Sequence, residues 1–253
     1  MTEIRGTYTL WLREVKRYLR DRTRIVSSFF QPLLWLIIFG SGIRFSGSIG
    51  GLSYQQYIFP GIIGQTLLFT SMFMGISVIW DREFGFLKEI LVAPISRVSI
   101  FLGKMLGDST DAVIQGIIVS LLGVLLGIRL NVVMFFEVLP IMVLITFGLV
   151  SIGLTIASFI GNLESFGVIQ SFINLPLFFL SGALFPIRGS YVPGWIQIVS
   201  NFNPLTYGVD ALRTIILGKA WPPLYPLYHN LIVICCFDVA MIIIGTLAFS
   251  RRK

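Results

Sequence analysis

The chain is 253 residues long and carries a formal net charge of +7, yet only 12% of its residues are charged and 55% are hydrophobic, with a mean hydropathy of +0.87. That balance excludes an ordinary water-soluble domain and points to an all-α integral membrane protein, because the long apolar runs do not alternate as a barrel's would. The basic excess is accounted for by membrane topology, so no nucleic-acid partner is expected.

Residues 1–24 predict an amphipathic helix in the membrane interface. Ile4, Tyr8, Trp11, Val15 and Tyr18 recur at steps of three and four, with Arg13, Lys16, Arg17 and Arg20 off that stripe, near lipid phosphates. Residues 25–253 then form one transmembrane domain of six spans, at about 25–43, 58–80, 109–128, 137–161, 166–185 and 228–249. Each approaches or exceeds the ~20 apolar residues that cross a hydrocarbon core. The first apolar run is long enough to remain as an anchor instead of a cleaved signal. With six spans both termini share a side, and that side holds fourteen of the 19 Lys and Arg residues. The positive-inside rule therefore expects both termini in the cytoplasm of a cell-membrane protein. Cys235 and Cys236 are adjacent in the last span and read as small apolar filler.

Between the fifth and sixth spans, residues 186–227 are rich in Pro, Gly and aromatics. Asn203 followed by Pro204 reads as a helix start, Leu205, Val209, Leu212 and Ile216 as one apolar face, and Gly218 as a stop. A helix over about 204–217 that dips into the outer leaflet or caps the bundle follows, with Asp210 and Arg213 paired three residues apart. Catalytic chemistry is thinly represented: one histidine, His229, no HExxH motif, and acids Asp108, Asp111, Glu137, Glu164 and Asp238 spread over different spans. Gly103-Lys104 is followed by Met105, so no phosphate-binding loop is formed and any ATPase must be another chain. No metal site is expected.

The stretch DREFGFLKEILVAPISR, residues 81–97, places six charges directly after an uncharged run of thirty-six residues. Phe84, Phe86, Leu87, Ile90, Leu91, Val92 and Ile95 stand among those charges. Gly85 permits a turn and Pro94 stops a helix over about 86–93, whose apolar face and charged rim suit docking to a partner protein.

The pattern E-x-G-x-L-K-E-x-L-x-x-P from Glu83, followed by Arg97 and Gly103-Lys104, resembles the cytoplasmic coupling region of type-2 ABC transporter permeases. NLPLFFLSGALFPI at 174–187 and NPLTYGVDALRTIILG at 203–218 resemble that family's fifth span and extracellular re-entrant helices. The resemblance implies an exporter subunit, homodimeric or paired with a close relative, moving a drug-, lipid- or glycan-like amphipathic or hydrophobic substrate. Two separate ATPase subunits would hold the ATP and Mg. Within a coupling region 81–108, it assigns Glu83, Lys88, Glu89 and Arg97 to polar contacts with the ATPase and Phe86, Leu87 and Leu91 to its groove. It also implies a path between protomers, to which Gln65, Phe69 and Phe73 on the second span and Gln170, Asn174 and Phe178 on the fifth are candidates. Asp238, an acid inside the last span, costs about 2.5–3.5 kcal/mol to insert and needs a partner or water, with a structural hydrogen bond favoured over proton coupling. A membrane enzyme acting on lipid headgroups and an ATP-independent channel or scaffold are the competing readings.

Overall fold

Polar caps set the helix boundaries in the computed structural model, which describes residues 2–38, 51–86, 90, 92, 94–125, 127–128, 130–188 and 192–251. The order is α1 (Thr2–Arg20), α2 (Arg22–Ile37), α3 (Tyr54–Met74), α4 (Ile76–Glu83), α5 (Arg97–Leu125), α6 (Val132–Phe159), α7 (Leu163–Phe179), α8 (Gly194–Asn201), α9 (Pro204–Leu217) and α10 (Leu227–Arg251). Helix α3 opens on a capping box: Ser53 Oγ accepts from Gln56 N–H at 3.3 Å, and Gln56 Oε1 accepts from Ser53 N–H at 3.1 Å. Asn131, Asn162 and Asn203 cap α6, α7 and α9, accepting from the N–H groups of Val133 (2.6 Å), Ser165 (2.8 Å) and Leu205 (3.0 Å). Helix α9 has the bounds expected from Asn203-Pro204 and Gly218, and Gly218 takes a positive φ of 52° where the helix stops.

Among the described residues, four helical stretches are long and apolar enough to cross a membrane: Tyr54–Glu83, Arg97–Leu125, Val132–Phe159 and Leu227–Ser250. They contain the second, third, fourth and sixth expected spans, apart from a few end residues. The first expected span overlaps α2 and continues into residues outside those described, and the fifth overlaps α7, a shorter apolar helix of 17 residues. One boundary is corrected. The third span was expected from 109, but its helix begins at Arg97, because Ser96 Oγ accepts the Ser99 N–H at 3.2 Å and Lys104 is paired inside the protein.

The stretch formed by α3 and α4 is the centre of the bundle: 78% of its most apolar window is buried, against 22% for α10. Two apolar cores pack around it. One joins Phe59, Leu67, Met142, Leu149, Leu205 and Val209, and the other joins Val78, Phe101, Leu154, Phe166 and Phe249. Helix α9 lies inside the first core, against α3, α6 and α10, and ten of its fourteen residues are buried. Four buried hydroxyls are matched within their own helices, since Thr66, Ser120, Ser151 and Thr155 each donate to the carbonyl four residues earlier.

Where the central helix breaks, at Gly75, its backbone lies directly on α6. A Cβ at Gly75 would fall on the Gly153 carbonyl and 2.9 Å from the Phe166 ring, and one at Gly153 would stand 2.8 Å from the Met72 carbonyl oxygen. Gly75→Val should therefore lower stability by about 1–3 kcal/mol, the range of core overpacking. Gly167→Ala, at a site with nothing within 4 Å, should have little effect. Thermal unfolding of both variants in detergent tests the contrast.

Candidate functional site

Helix α1 packs closely along α5 because Gly103 and Gly107, one turn apart, present bare backbone to it. A Cβ at Gly103 would lie 2.9 Å from the Thr7 carbonyl oxygen, and one at Gly107 would lie 2.6 Å from Glu14 Cβ. Polar bonds fix the register: Thr7 Oγ1 donates to the Ser99 carbonyl at 3.3 Å and Trp11 Nε1 to Thr110 Oγ1 at 3.0 Å. At the start of α5, Glu3 accepts from Ser96 N–H (3.0 Å), Ser96 Oγ (2.8 Å) and Ser99 Oγ (2.5 Å). The Ser99 hydroxyl foremost, then the Ser96 amide and hydroxyl, hold the Glu3 carboxyl below the usual carboxylate range. The stripe that faces protein is Leu10, Glu14 and Tyr18, while Ile4 and Tyr8 are exposed. This corrects the single apolar stripe drawn from the sequence, since a polar residue lies at the middle of the packed face.

Glu14 is placed there by Lys104, the one charged residue between the two glycines. Lys104 is fully buried, and its Nζ lies 2.6 Å from Asp81 Oδ2, 3.1 Å from Glu14 Oε1 and 3.3 Å from Ser77 Oγ. Arg13 Nη2 pairs with the other Asp81 oxygen at 2.7 Å, and Arg13 Nη1 reaches Glu14 Oε1 at 3.3 Å. Arg17 lies 3.7 Å from Asp81 and 3.9 Å from Glu14. Two buried carboxylates thus bridge three cations from α1 and α5. A buried ion pair is tolerated only when its remaining hydrogen-bonding positions are satisfied, and here Asp81 has a donor on each oxygen. Arg13 and Arg17, expected near lipid phosphates, instead face this cluster. Their guanidinium groups also cover aromatic faces, Arg13 over Phe86 at 4.1 Å and Arg17 over Trp80 at 5.1 Å.

Phe86 ties the cluster to the charged break. Glu83 and Phe84 are exposed at the end of α4, Gly85 turns the chain at φ 76°, and Phe86, Ile90 and Val92 are helical. Ile90 enters the second apolar core. Leu87, Lys88, Glu89 and Leu91 lie outside the described residues. Arg97 donates to the Ser250 carbonyl at 3.1 Å, which ties it to the end of α10, and Arg82 donates to the Ile160 carbonyl at 2.9 Å beyond the last turn of α6. The cluster itself was missed by sequence reasoning. Its signal was Lys104, a lysine between two helix-packing glycines on α5, where burial demands a carboxylate partner.

Among the path candidates, Gln65 and Asn174 are buried with side-chain carbonyls that have no hydrogen-bond partner among the described residues. Phe73 is exposed, and Phe69 and Gln170 are half-buried. Phe178 is a core residue in this chain, stacked edge-on with Trp35 and Phe69 at 6.1 Å, because α2 and α3 close over it. Asp238 is buried against Gly148, and neither of its oxygens has a hydrogen-bond partner of good geometry among the described residues.

Asp210 and Arg213 share a helix face but do not form an ion pair within 4 Å. Asp210 accepts from the N–H groups of Leu224 (3.0 Å) and Tyr225 (3.1 Å) and from Asn230 Nδ2 (2.8 Å), whereas Arg213 donates to the Gly182 carbonyl (3.0 Å) and covers Tyr57 at 4.2 Å. Backbone groups at a helix-to-loop junction offer each charge nearer partners than they offer one another.

The helical bundle and its clamped charged end define a multi-pass membrane protein of the transporter class. Residues 5–217 match the ABC-2 type transporter family, and the chain belongs to that family, whose members are membrane subunits of ABC transporters. It is 34% identical over 246 residues to the Cyanophora paradoxa chain named as a transport permease, ycf38, covering 90% of this chain and 81% of that one. Nodulation protein J of Rhizobium meliloti (strain 1021) is 26% identical, with 90% and 86% covered. The inner membrane transport permease YadH of Escherichia coli (strain K12) is also 26% identical, with 97% and 94% covered.

Lys104→Met should leave Asp81 and Glu14 buried without their common partner and cost about 3–5 kcal/mol, whereas combining it with Asp81→Leu and Glu14→Leu should restore much of that loss. Thermal unfolding of the single and triple variants reads the difference. Because the Glu3 carboxyl is held low, its contribution is present above the ordinary carboxylate range and is lost as pH falls through its own lower value. Glu3→Gln should accordingly flatten the acid limb of a stability-against-pH curve.

Proposed function

We propose that this chain is the permease subunit of an ATP-driven exporter. Two copies form the path for an amphipathic or hydrophobic substrate, and two separate ATPase subunits, carrying ATP and Mg, dock on the segment 84–93. The chain would then span the cell membrane six times with both termini cytoplasmic, and α8 and α9 would form the re-entrant region on the outside. The observation that carries this reading is the way the charged break is anchored. Asp81 before it and Lys104 beyond it meet each other at 2.6 Å, and both bind α1. A push delivered to Phe84 or Phe86 would thus reach α1, α4 and α5 together, since the cluster binds all three. Exposed Phe84 and half-covered Phe86 supply the apolar centre of such a docking surface, and Glu83 its rim.

A second protomer is supported by α7, which leaves Phe172, Leu175 and Phe179 uncovered on the face next to Asn174. Gln65 and Asn174, with unpartnered carbonyls on α3 and α7, are the polar groups such a path would present to cargo. The relatives named as transport permeases agree with this role.

Coupling is tested by separating docking from transmission. Leu87→Asp with Leu91→Asp should abolish co-purification of the ABC ATPase that the parent permease retains. Arg13→Gln should retain that co-purification and ATP hydrolysis but reduce cargo transport in proteoliposomes by about fivefold or more, the lower bound of a typical coupling energy. Undiminished transport in Arg13→Gln would overturn the transmission role, and an ATPase still bound to the double variant would overturn the docking site.

A further inference from the structure

The end of the bundle opposite the charged cluster holds a cavity of about 170 Å³ between α8, the first turn of α9 and the loop that precedes α10. Arg188, Gln197, Asn201, Thr206 and Tyr225 are among its lining residues. The volume is more than ten times the ~10–15 Å³ that admits one water. We infer that this cavity is an oxyanion site for a phosphate group, with Arg188 as its cation and Thr206 as a hydroxyl donor at its base.

Three features support that assignment. Arg188 is pre-positioned, because its Nη1 donates to the Leu224 carbonyl at 2.8 Å and its guanidinium stands 4.7 Å from the Tyr225 ring centre. That single bond leaves most of its five N–H donors for a ligand, and their planar fork matches phosphate. The Thr206 hydroxyl is buried and has no hydrogen-bond partner among the described residues, and Thr206 lines the cavity. A buried hydroxyl left unmatched costs free energy, which a ligand oxygen here would recover. Finally, the site has no opposing acid among its lining residues. The nearest carboxylate, Asp210, is occupied by Leu224 N–H, Tyr225 N–H and Asn230, and through those bonds it fixes the loop that carries the Arg188 acceptor.

The walls are braced in the same way. Tyr225 Oη donates to Asn201 Oδ1 at 2.8 Å and Tyr207 Oη to the Asn201 carbonyl at 2.7 Å, while Tyr207, Tyr225 and His229 stack with centroids 4.8–5.9 Å apart. The Asn201 side-chain amide therefore keeps its N–H donors for a third contact. The assignment does not depend on ATPase coupling.

A phosphate here could belong to a lipid headgroup or be free in solution, and two experiments distinguish them. Inorganic phosphate is titrated into the full-length protein, delipidated in phosphate-free detergent at constant ionic strength with sodium chloride as control, and thermal stability and bound phosphorus are both measured. A saturable stabilisation is expected, weakened about tenfold in Arg188→Gln and severalfold in Thr206→Val. Without ligand, Thr206→Val should be as stable as the parent or more so, since its hydroxyl has no partner to lose. The titration is repeated in phospholipid nanodiscs: a response kept there identifies free phosphate, and one lost there identifies a headgroup. If phospholipid survives delipidation and silences the titration, the retained phosphorus should fall in Arg188→Gln. No saturable response with no retained phosphorus, or a response or retention equal in parent and variants, overturns the site. So does stabilisation by an uncharged sugar in place of phosphate.

Discussion

A lysine ammonium enclosed among helices is the constraint from which the basic end of this protein is built. Lys104 cannot reach water, so it must be met by carboxylates from other elements, and the two that meet it come from α1 and the end of α4. Neither carboxylate is left with one partner only: Arg13 holds the second oxygen of Asp81, and Arg17 completes the ring. The desolvation cost of each ion is offset only while all the others stay in place. Position is thereby specified together with charge. A helix that slid along α5 would carry Glu14 away from Lys104, and the glycines at 103 and 107 would no longer lie under it.

That cluster also explains why the charged break is neither a solvated loop nor a membrane segment. Its first residues leave α4 directly from Asp81, Phe86 returns beneath Arg13, and Ile90 enters the apolar core. Arg82 and Arg97 then fasten the flanks of the segment to the ends of α6 and α10. Four helices besides α4 are gathered around one short piece of chain. A transporter driven from outside its own polypeptide needs such an arrangement, because a docked motor can do work only on elements that do not yield separately.

Much of this fold could be read from the sequence where a local rule decides the outcome. Asn203-Pro204 and Gly218 bounded α9 because capping and positive φ are properties of a few adjacent residues. The long apolar runs located the four longest helices for the same reason. What escaped were relations between distant residues. Glu14 was hidden on a helix whose basic and aromatic positions already made a plausible interfacial pattern, and only its contact with Lys104, ninety residues away, shows which face packs. Asp210 and Arg213 misled in the opposite sense: their spacing permits a pair, but spacing carries no information about the carbonyl of Gly182 or the amides of Leu224 and Tyr225. The start of α5 was placed late because a charged residue reads as a boundary until its partners are known.

The two ends of the bundle solve the burial of charge by different means, and the difference follows from what each has available. At the basic end regular helices converge, their backbone groups are already bonded internally, and a buried cation can be satisfied only by side-chain anions. At the opposite end the described chain is non-helical over 180–188 and 221–226, with a short 3-10 turn at Gly218–Ala220, so backbone amides and carbonyls outside α-helices are available. Asp210 and Arg213 are held there mainly by backbone groups and without an ion pair, with Asn230 of α10 and the Tyr57 ring of α3 as their side-chain partners. A charge solvated by loop backbone follows the loop when it moves, whereas a charge locked between helices moves only with the helices. The stiffer device lies where force would enter, and the more compliant one lies beside the cavity at the far end.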